Sequence, residues 1–271
     1  MNLAFFGHHK CASTSISHLC FDVANDMGYR TIYKKTAFHE NIEHSFNDGN
    51  HNFLISLNSK YEVINRFDEF IGFHLIRDPR DICVSGYFSH LYSHNLEGFD
   101  RLKPHREELK RLDFKEGLLK EFEFSDLWLK HILDWNYEDT RIAELKLEDL
   151  MLNPSKCLNS VFEKLEMNGK SNLLLFELAA KLNRIFNKLG WHNLKIQQKI
   201  PQTRLDALSN KYSFKNLSKG RKQGLEDKKS HYRKGVPGDW KNYFEKEHKE
   251  YFKDTYGESL VTLGYEKDLN W

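Results

Sequence analysis

At 271 residues, with 39% hydrophobic and 14% aromatic side chains, the chain can bury a sizeable core as one α/β domain or two small ones. Lysine and arginine (41) nearly balance aspartate and glutamate (39), so the formal net charge is +2 and any anion site must be local. No apolar run approaches the ~20 residues of a membrane span, and no signal-peptide pattern is present. Cys11, Cys20, Cys83 and Cys157 are scattered without a C-x-x-C or zinc spacing, which predicts a reduced, cytoplasmic protein with no metal site.

Leu3-Ala4-Phe5-Phe6-Gly7 is an apolar run without alternation, the pattern of a strand buried on both faces. A polar loop with Lys10 follows. Ile16, Leu19, Cys20 and Val23 then recur at helical spacing, which predicts a helix over 13–27, capped by Ser13 or Thr14 and ending near Gly28. Tyr29 to Tyr33 reads as a second strand, 34–51 as a polar surface loop and Phe53 to Leu57 as a third strand. Phe70 to Ile76 is a stronger buried strand that runs into Arg77-Asp78-Pro79-Arg80-Asp81 and a helical pattern of Ile82, Val84, Tyr87, Phe88 and Leu91. Apolar residues keep helical spacing from Leu109 to Tyr137, and Ile142 to Leu147 reads as another strand. Helices are expected near 154–167 and 172–189, the latter stopped by Gly190. Residues 209–238 are rich in Lys, Arg, Ser and Gly, and Gly238-Asp239-Trp240 opens a C-terminal helical region. Strands alternating with helices, with no repeat and no clean boundary, predict one domain over 1–271 with a parallel sheet flanked by helices.

Three stretches carry chemistry. The first loop joins a buried strand to a helix N-terminus through small residues, an arrangement that offers backbone N–H groups and the positive helix end to an anion, with Lys10 adding a full charge. It also fits an ordinary strand-to-helix turn with a solvated lysine. It is not a Walker A loop, because Lys10 precedes the small run and no glycine stands beside it. The second stretch leaves a strand's carboxyl end, where open α/β sheets bind ligands. There Arg77 offers a guanidinium fork suited to phosphate, Ser85 adds a hydroxyl one turn later and Asp81 could cap the helix; an Arg–Asp surface network fits nearly as well. The third runs from Tyr232 to Lys241. Arg233 and Lys234 bring charge, Gly235 an accessible N–H, Pro237-Gly238 a turn and Asp239 a cap for the next helix. Read alone, this is as well a solvated basic loop.

Taken together, these stretches resemble the sulfotransferases that use 3′-phosphoadenosine 5′-phosphosulfate (PAPS), in a compact form of the Sulfotransfer_1 type. The residues that carry the likeness are His9-Lys10-Cys11-Ala12-Ser13-Thr14, Arg77-Asp78-Pro79-Arg80-Asp81 with Ser85, and Arg233-Lys234-Gly235-Val236-Pro237-Gly238-Asp239-Trp240-Lys241-Asn242. The likeness implies a P-loop-NTPase-like domain of the sulfotransferase fold. It also implies that the chain moves a sulfuryl group from PAPS to a hydroxyl or amine and releases adenosine 3′,5′-bisphosphate (PAP), without a metal. Lys10, Cys11, Ala12, Ser13, Thr14 and Ser15 would hold the 5′-phosphosulfate, with Lys10 neutralising the bridging oxygen. Arg77, Ser85, Arg233, Lys234 and the Gly235 N–H would hold the 3′-phosphate, and Phe214 would pack the adenine.

The sequence departs from the family pattern in three places. The first loop continues Ser13-Thr14-Ser15 where the family has Thr-Thr-Trp, and Leu147 stands where a tyrosine precedes the Glu148-Asp149 pair. The family's third-strand catalytic histidine has no counterpart among Leu54, Ile55, Ser56, Leu57 and Asn58. His39, Glu40 and His51, in the loop after the second strand, are the alternatives for a base, with His39 and Glu40 favoured. A rival reading is a non-catalytic binder of nucleotide or single-stranded nucleic acid through the basic 219–234 stretch. That needs a continuous basic groove with stacking aromatics, and the near-zero net charge counts against it. The acceptor, a small molecule or a glycan, is not coded in loops 34–51 and 93–106, and nothing in the sequence specifies an oligomeric state.

Overall fold

The structure is a computed structural model that describes residues 2–35, 46 and 51–271. Five strands form one sheet in the order β2-β3-β1-β4-β5, with every neighbouring pair parallel. They are β1 (Asn2–Gly7), β2 (Thr31–Lys34), β3 (Phe53–Leu57), β4 (Phe70–Ile76) and β5 (Ile142–Lys146). The flat hydrophobicity of β1 reflects its central place: Leu3 and Phe5 face one layer, Ala4 and Phe6 the other, and all four are fully buried. Phe5 stacks on Phe73 of β4 at 4.8 Å between ring centroids.

On one face lie α1 (Ser13–Met27), α7 (Pro154–Lys164), α8 (Leu173–Lys188) and α9 (Gln202–Lys211), whose Leu19, Val23, Phe162, Phe176 and Leu205 bury the Leu3–Phe5 side. Between β3 and β4 stands the single turn α2 (Tyr61–Ile64). Ala4 and Phe6 pack with Leu54, Phe67, Phe70 and Trp135, while α3 (Pro79–Phe88), α5 (Phe114–Leu133) and the C-terminal α11 (Lys246–Thr262) form a further cluster through Ile82, Phe122, Leu129, Phe252 and Leu260. Short helices α4 (Leu102–Leu109), α6 (Leu147–Leu152) and α10 (Phe214–Leu217) fill the loops between them. The helical spacing seen from Leu109 to Tyr137 is therefore only α5, preceded by a separate α4. The second strand starts two residues later than expected, at Thr31, because Gly28 (φ 68°) closes α1 and Tyr29 donates back to Ala24.

Because the strands are parallel, all their carboxyl ends lie on one edge of the sheet. The pairing Gly7↔Leu75 then sets the loop after β1 beside the loop after β4, and Lys10 beside Arg77. Gly7 permits the first turn to be tight: a Cβ there would stand 2.9 Å from Ser13 Cβ. All four cysteines are unpaired, three of them buried. Among the described residues, no helix is long and apolar enough to cross a membrane.

Candidate active site

The loop after β1 turns through two left-handed residues, Lys10 (φ 61°) and Ala12 (φ 54°), a backbone form rare outside glycine and common in anion-binding concavities. Ala12, not Ser13 or Thr14, is the N-cap of α1, and no side chain among the described residues caps it. The expected cap would have used up the first-turn donors. Instead Ser15 and Ile16 turn back to the Ala12 carbonyl, and the N–H groups of Ala12, Ser13 and Thr14 have no acceptor among the described residues. The Ser13, Thr14 and Ser85 hydroxyls are likewise without a hydrogen bond there, whereas Ser15 reaches Tyr232 at 3.5 Å. Cys11 turns away into the core with its N–H on the His8 carbonyl, and burial pushes its thiol up, so its side chain adds nothing to the cavity.

Arg77 leaves β4 and donates from Nη1 to the Lys10 carbonyl at 3.0 Å. Half-buried Lys10 is lowered to about 7, first by desolvation and then by Arg77, with Glu121 opposing and Arg233 adding to the fall. The helix after Arg77 is capped by Asp78, which accepts from Arg80 N at 3.0 Å, rather than by Asp81. Asp81 is turned elsewhere: its carboxylate accepts the backbone N–H of Gly238 at 2.7 Å and of Trp240 at 2.8 Å. This clamps the third basic segment, 157 residues on, over the first two.

Within that segment the expected Asp239 cap is also replaced. Asp239 binds Arg233 Nη2, Lys234 Nζ and Asn242 Nδ2 at 2.5, 2.5 and 2.8 Å, and Gly238 caps the short turn that follows. Arg233 further binds Glu226 and Tyr243, so much of its charge is already answered. Its Nε is buried without a partner among the described residues. At Gly235 (φ 69°) the Phe214 ring rests on the backbone so closely that a Cβ would meet it at 2.2 Å.

All these groups line one cavity of about 530 Å³: Lys10, Ala12, Ser13, Thr14, Ser15, Arg77, Ser85, Phe214, Arg233, Lys234 and Gly235. Away from the charges its wall is apolar, with Ile16, Leu19, Leu147, Leu150, Met151 and Leu158. Sequence reasoning missed Lys215, Lys222, His94 and His231, which line it, and gave no separate role to His9 and Tyr232, the first residues of two of its stretches. His39 and Glu40 lie outside the described residues. His51 is half-buried just before β3 and does not line the cavity. At the end of β3, where a third-strand histidine would stand, Ser56 Oγ accepts from Ser59 Oγ just after the strand at 3.0 Å; neither hydroxyl is a base near neutral pH.

Two consecutive histidines each head a His–His–Glu chain. His8 Nε2 meets His74 Nε2 at 2.6 Å, and His74 Nδ1 meets Glu144, whose carboxyl burial lifts to about 8. The two histidines of that chain are fully buried, and the Glu144 side chain is partly exposed. His9 Nε2 meets His90 Nε2 at 2.9 Å, and His90 Nδ1 meets the Glu121 carboxylate at 2.9–3.0 Å, which also accepts from His105 and Ser125. Burial would raise Glu121, but His90 and His105 hold it at about 2. His90, His105 and Glu121 bring ligand-type atoms within 4.8 Å of one another, a spacing a cation would accept, yet each is already committed to a shared proton.

A family model described as the sulfotransferase domain matches residues 73–264, which takes in the second and third basic segments. Sulfotransferase 1B1 of Canis lupus familiaris is 26% identical over 200 residues, covering 72% of this chain and 57% of that relative. The match thus spans under two thirds of the relative's length. Among solved structures, mouse sulfotransferase SULT7A1 complexed with PAP superposes with a TM-score of 0.59 at 14% identity, over 96% of this chain and 84% of that one. Retinol dehydratase in a complex with retinol and PAP gives 0.53 at 14% identity, over 95% and 81%. The fold expected from the sequence is therefore the one found, and with a family model covering most of its length the chain belongs to the sulfotransferase family.

Proposed function

We propose that the chain transfers the sulfuryl group of PAPS to a hydroxyl or amine acceptor and releases PAP. The observation that carries this reading is that three basic segments far apart in sequence converge on one cavity, where several donors have no partner among the described residues. The uncapped N–H groups of α1, the free hydroxyls of Ser13, Thr14 and Ser85, and the orphaned Arg233 Nε suit a ligand with two separate phosphate centres. The two similar structures named above were solved with PAP. Dog sulfotransferase 1B1 and the family as a whole support the same chemistry for this chain.

In this reading Ala12, Ser13 and Thr14 N–H groups hold the 5′-phosphate at the positive end of α1. Arg77, Ser85, Arg233 Nε and the Gly235 N–H hold the 3′-phosphate, and the apolar wall with Phe214 receives the adenine in place of the missing loop tryptophan. PAPS supplies the activated sulfur when bound. Lys10 stabilises the charge that builds on the leaving phosphate oxygen, a contact that strengthens as the bond breaks. The sulfur centre needs no metal for this: cations and N–H dipoles of the chain supply the field.

Incubation with radiolabelled PAPS and a panel of phenols, alcohols, amines and sugars tests the reaction. Thermal shift tests the donor site: PAP should stabilise the protein far more than AMP or ATP, without magnesium. Equal shifts by PAP and AMP would remove the 3′-phosphate site and the reading with it. Steeply salt-dependent binding of single-stranded nucleic acid would favour the rival binder.

A further inference from the structure

The reaction proposed above leaves one proton without a destination. A hydroxyl acceptor must lose its proton as it attacks, and where the family's histidine would stand β3 carries Ser56, bonded to Ser59 just after the strand. Three histidines line the cavity: His9, His94 and His231. They differ in what stands behind them. Exposed His231 stacks edge-on with Tyr232, and His94 pairs its Nδ1 with the neighbouring Asn95 carbonyl at 2.8 Å. Among the described residues, only His9 of these is backed by a buried carboxylate, through His90 to Glu121.

We propose that His9 Nδ1 is the general base for the acceptor, with His90 and Glu121 as the positioning residues that fix its tautomer. The argument rests on the sulfuryl-transfer reading and on the order of protons along the chain. Glu121 is fully buried and accepts from Ser125 Oγ at 2.7 Å, from His105 Nε2 at 2.9 Å and from His90 Nδ1 at 2.9 Å. A neutral His90 that donates from Nδ1 has a bare Nε2. Across the 2.9 Å gap that nitrogen can only accept, so His9 must donate from Nε2. His9 Nδ1 is then the bare nitrogen, and no described residue hydrogen-bonds it. The ring is held against rotation by Trp128, His90 and His94, at 4.8, 5.1 and 5.4 Å between centroids. Burial, then His90, Lys10, His94 and His231, keep His9 well below its usual range and therefore neutral at pH 7.

The step balances. The acceptor O–H proton passes to His9 Nδ1 while the acceptor oxygen bonds to sulfur. The sulfur–oxygen bond to the 5′-phosphate breaks, and its electron pair stays on that phosphate beside Lys10. The imidazolium formed on His9 shares its Nε2 proton with His90, and the buried Glu121 charge answers it across the chain. The base and the cation of the leaving group are thus consecutive residues of one loop. His8 plays no such part, because it is fully buried and does not line the cavity.

The test has one arm without catalysis. Long-range nitrogen–proton NMR of the full chain with PAP bound, at neutral pH, reports each histidine tautomer. His9 should carry its proton on Nε2 and His90 on Nδ1; a proton on His9 Nδ1 overturns the proposal. In the kinetic arm, His9→Asn should lose about 10²–10⁴-fold in kcat on weakly acidic alcohols and far less on p-nitrophenol, which surrenders its proton unaided. His90→Asn should show the same acceptor dependence with a smaller loss and shift the His9 tautomer. Equal losses on all acceptors, or none, overturn the base assignment while wild-type transfer from PAPS keeps the reaction. Activity kept in His9→Asn but lost in His39→Ala or Glu40→Gln moves the base to the 34–51 loop. A wild type that binds PAP but transfers to no acceptor overturns the reaction and the base together.

Discussion

Arg77 donates from Nη1 to the backbone carbonyl of Lys10 at 3.0 Å, which locks the loop after β1 to the loop after β4. The same contact sets two cations at one corner of a partly dry cavity. Their mutual repulsion, added to desolvation, brings Lys10 to about 7 before any anion arrives. The negative charge of an arriving phosphate group opposes both effects, so protonation of Lys10 and nucleotide binding should be coupled.

The first prediction concerns pH. In the free protein Lys10 titrates near 7, and a bound anion raises it. Binding therefore takes up a proton at any pH between the two values. PAP affinity should be fully developed below pH 7 with respect to this group and fall as pH rises above 7, by at most about tenfold per unit. Calorimetry in buffers of different ionisation enthalpy should show proton uptake near pH 8. Lys10→Met should abolish both the uptake and the slope; a slope that persists would assign it to another group.

The second concerns rate. Removing one donor aimed at a developing oxyanion costs on the order of 10²–10³ in kcat. Lys10→Ala should lose a similar factor with a much smaller loss in PAP affinity. Lys10→Arg should also be impaired, since the guanidinium is longer and bulkier than the ammonium. A near-normal kcat with weakened binding would demote Lys10 to a phosphate clamp.

A third follows from the clamp made by Asp81. Its carboxylate holds the N–H groups of Gly238 and Trp240 from a site that is 1% exposed, so its loss strands one buried and one half-buried donor. Charge-assisted bonds of this kind contribute roughly 1.5–3 kcal/mol each. Asp81→Ala should lower stability by several kcal/mol in urea denaturation and weaken PAP binding by releasing the Arg233–Gly235 segment. Asp81→Asn, which keeps one acceptor oxygen, should lose about half as much; an unchanged midpoint for both would deny the clamp.

A fourth tests the contact between Gly235 and Phe214. Alanine at Gly235 meets a left-handed backbone, costing roughly 1–2 kcal/mol, and a ring atom at 2.2 Å, so the Phe214 ring must leave. Gly235→Ala should therefore destabilise the protein and cut PAP affinity more than Phe214→Ala does. The double variant should be less destabilised than the sum of the singles, because the steric part disappears with the ring. Strict additivity in denaturation midpoints would show that Phe214 yields freely.

Much of this molecule was legible in the chain itself. β1, β3 and β4 read as continuous apolar runs because a central parallel strand is covered on both faces, and helix α1 ended at Gly28 because only a left-handed residue closes it cheaply. The three basic segments were visible because small residues, Arg-x-Pro-Arg-Asp and Arg-Lys-Gly are local patterns. What only the tertiary structure decided is how donors and acceptors pair at a distance. Propensity points to Ser13 or Thr14 as the cap, but the Ala12 turn leaves the helix without a side-chain cap among the described residues and its donors open. Asp81 and Asp239 were assigned to their nearest helices, yet packing sets one on a backbone 157 residues away and the other on Arg233 and Lys234. His9 and His90 are 81 residues apart, and His90 and Glu121 another 31, so no spacing rule joins them. A carboxylate removed from water takes whatever donors the fold delivers to it, and that choice is made by packing after the sequence pattern has set the elements.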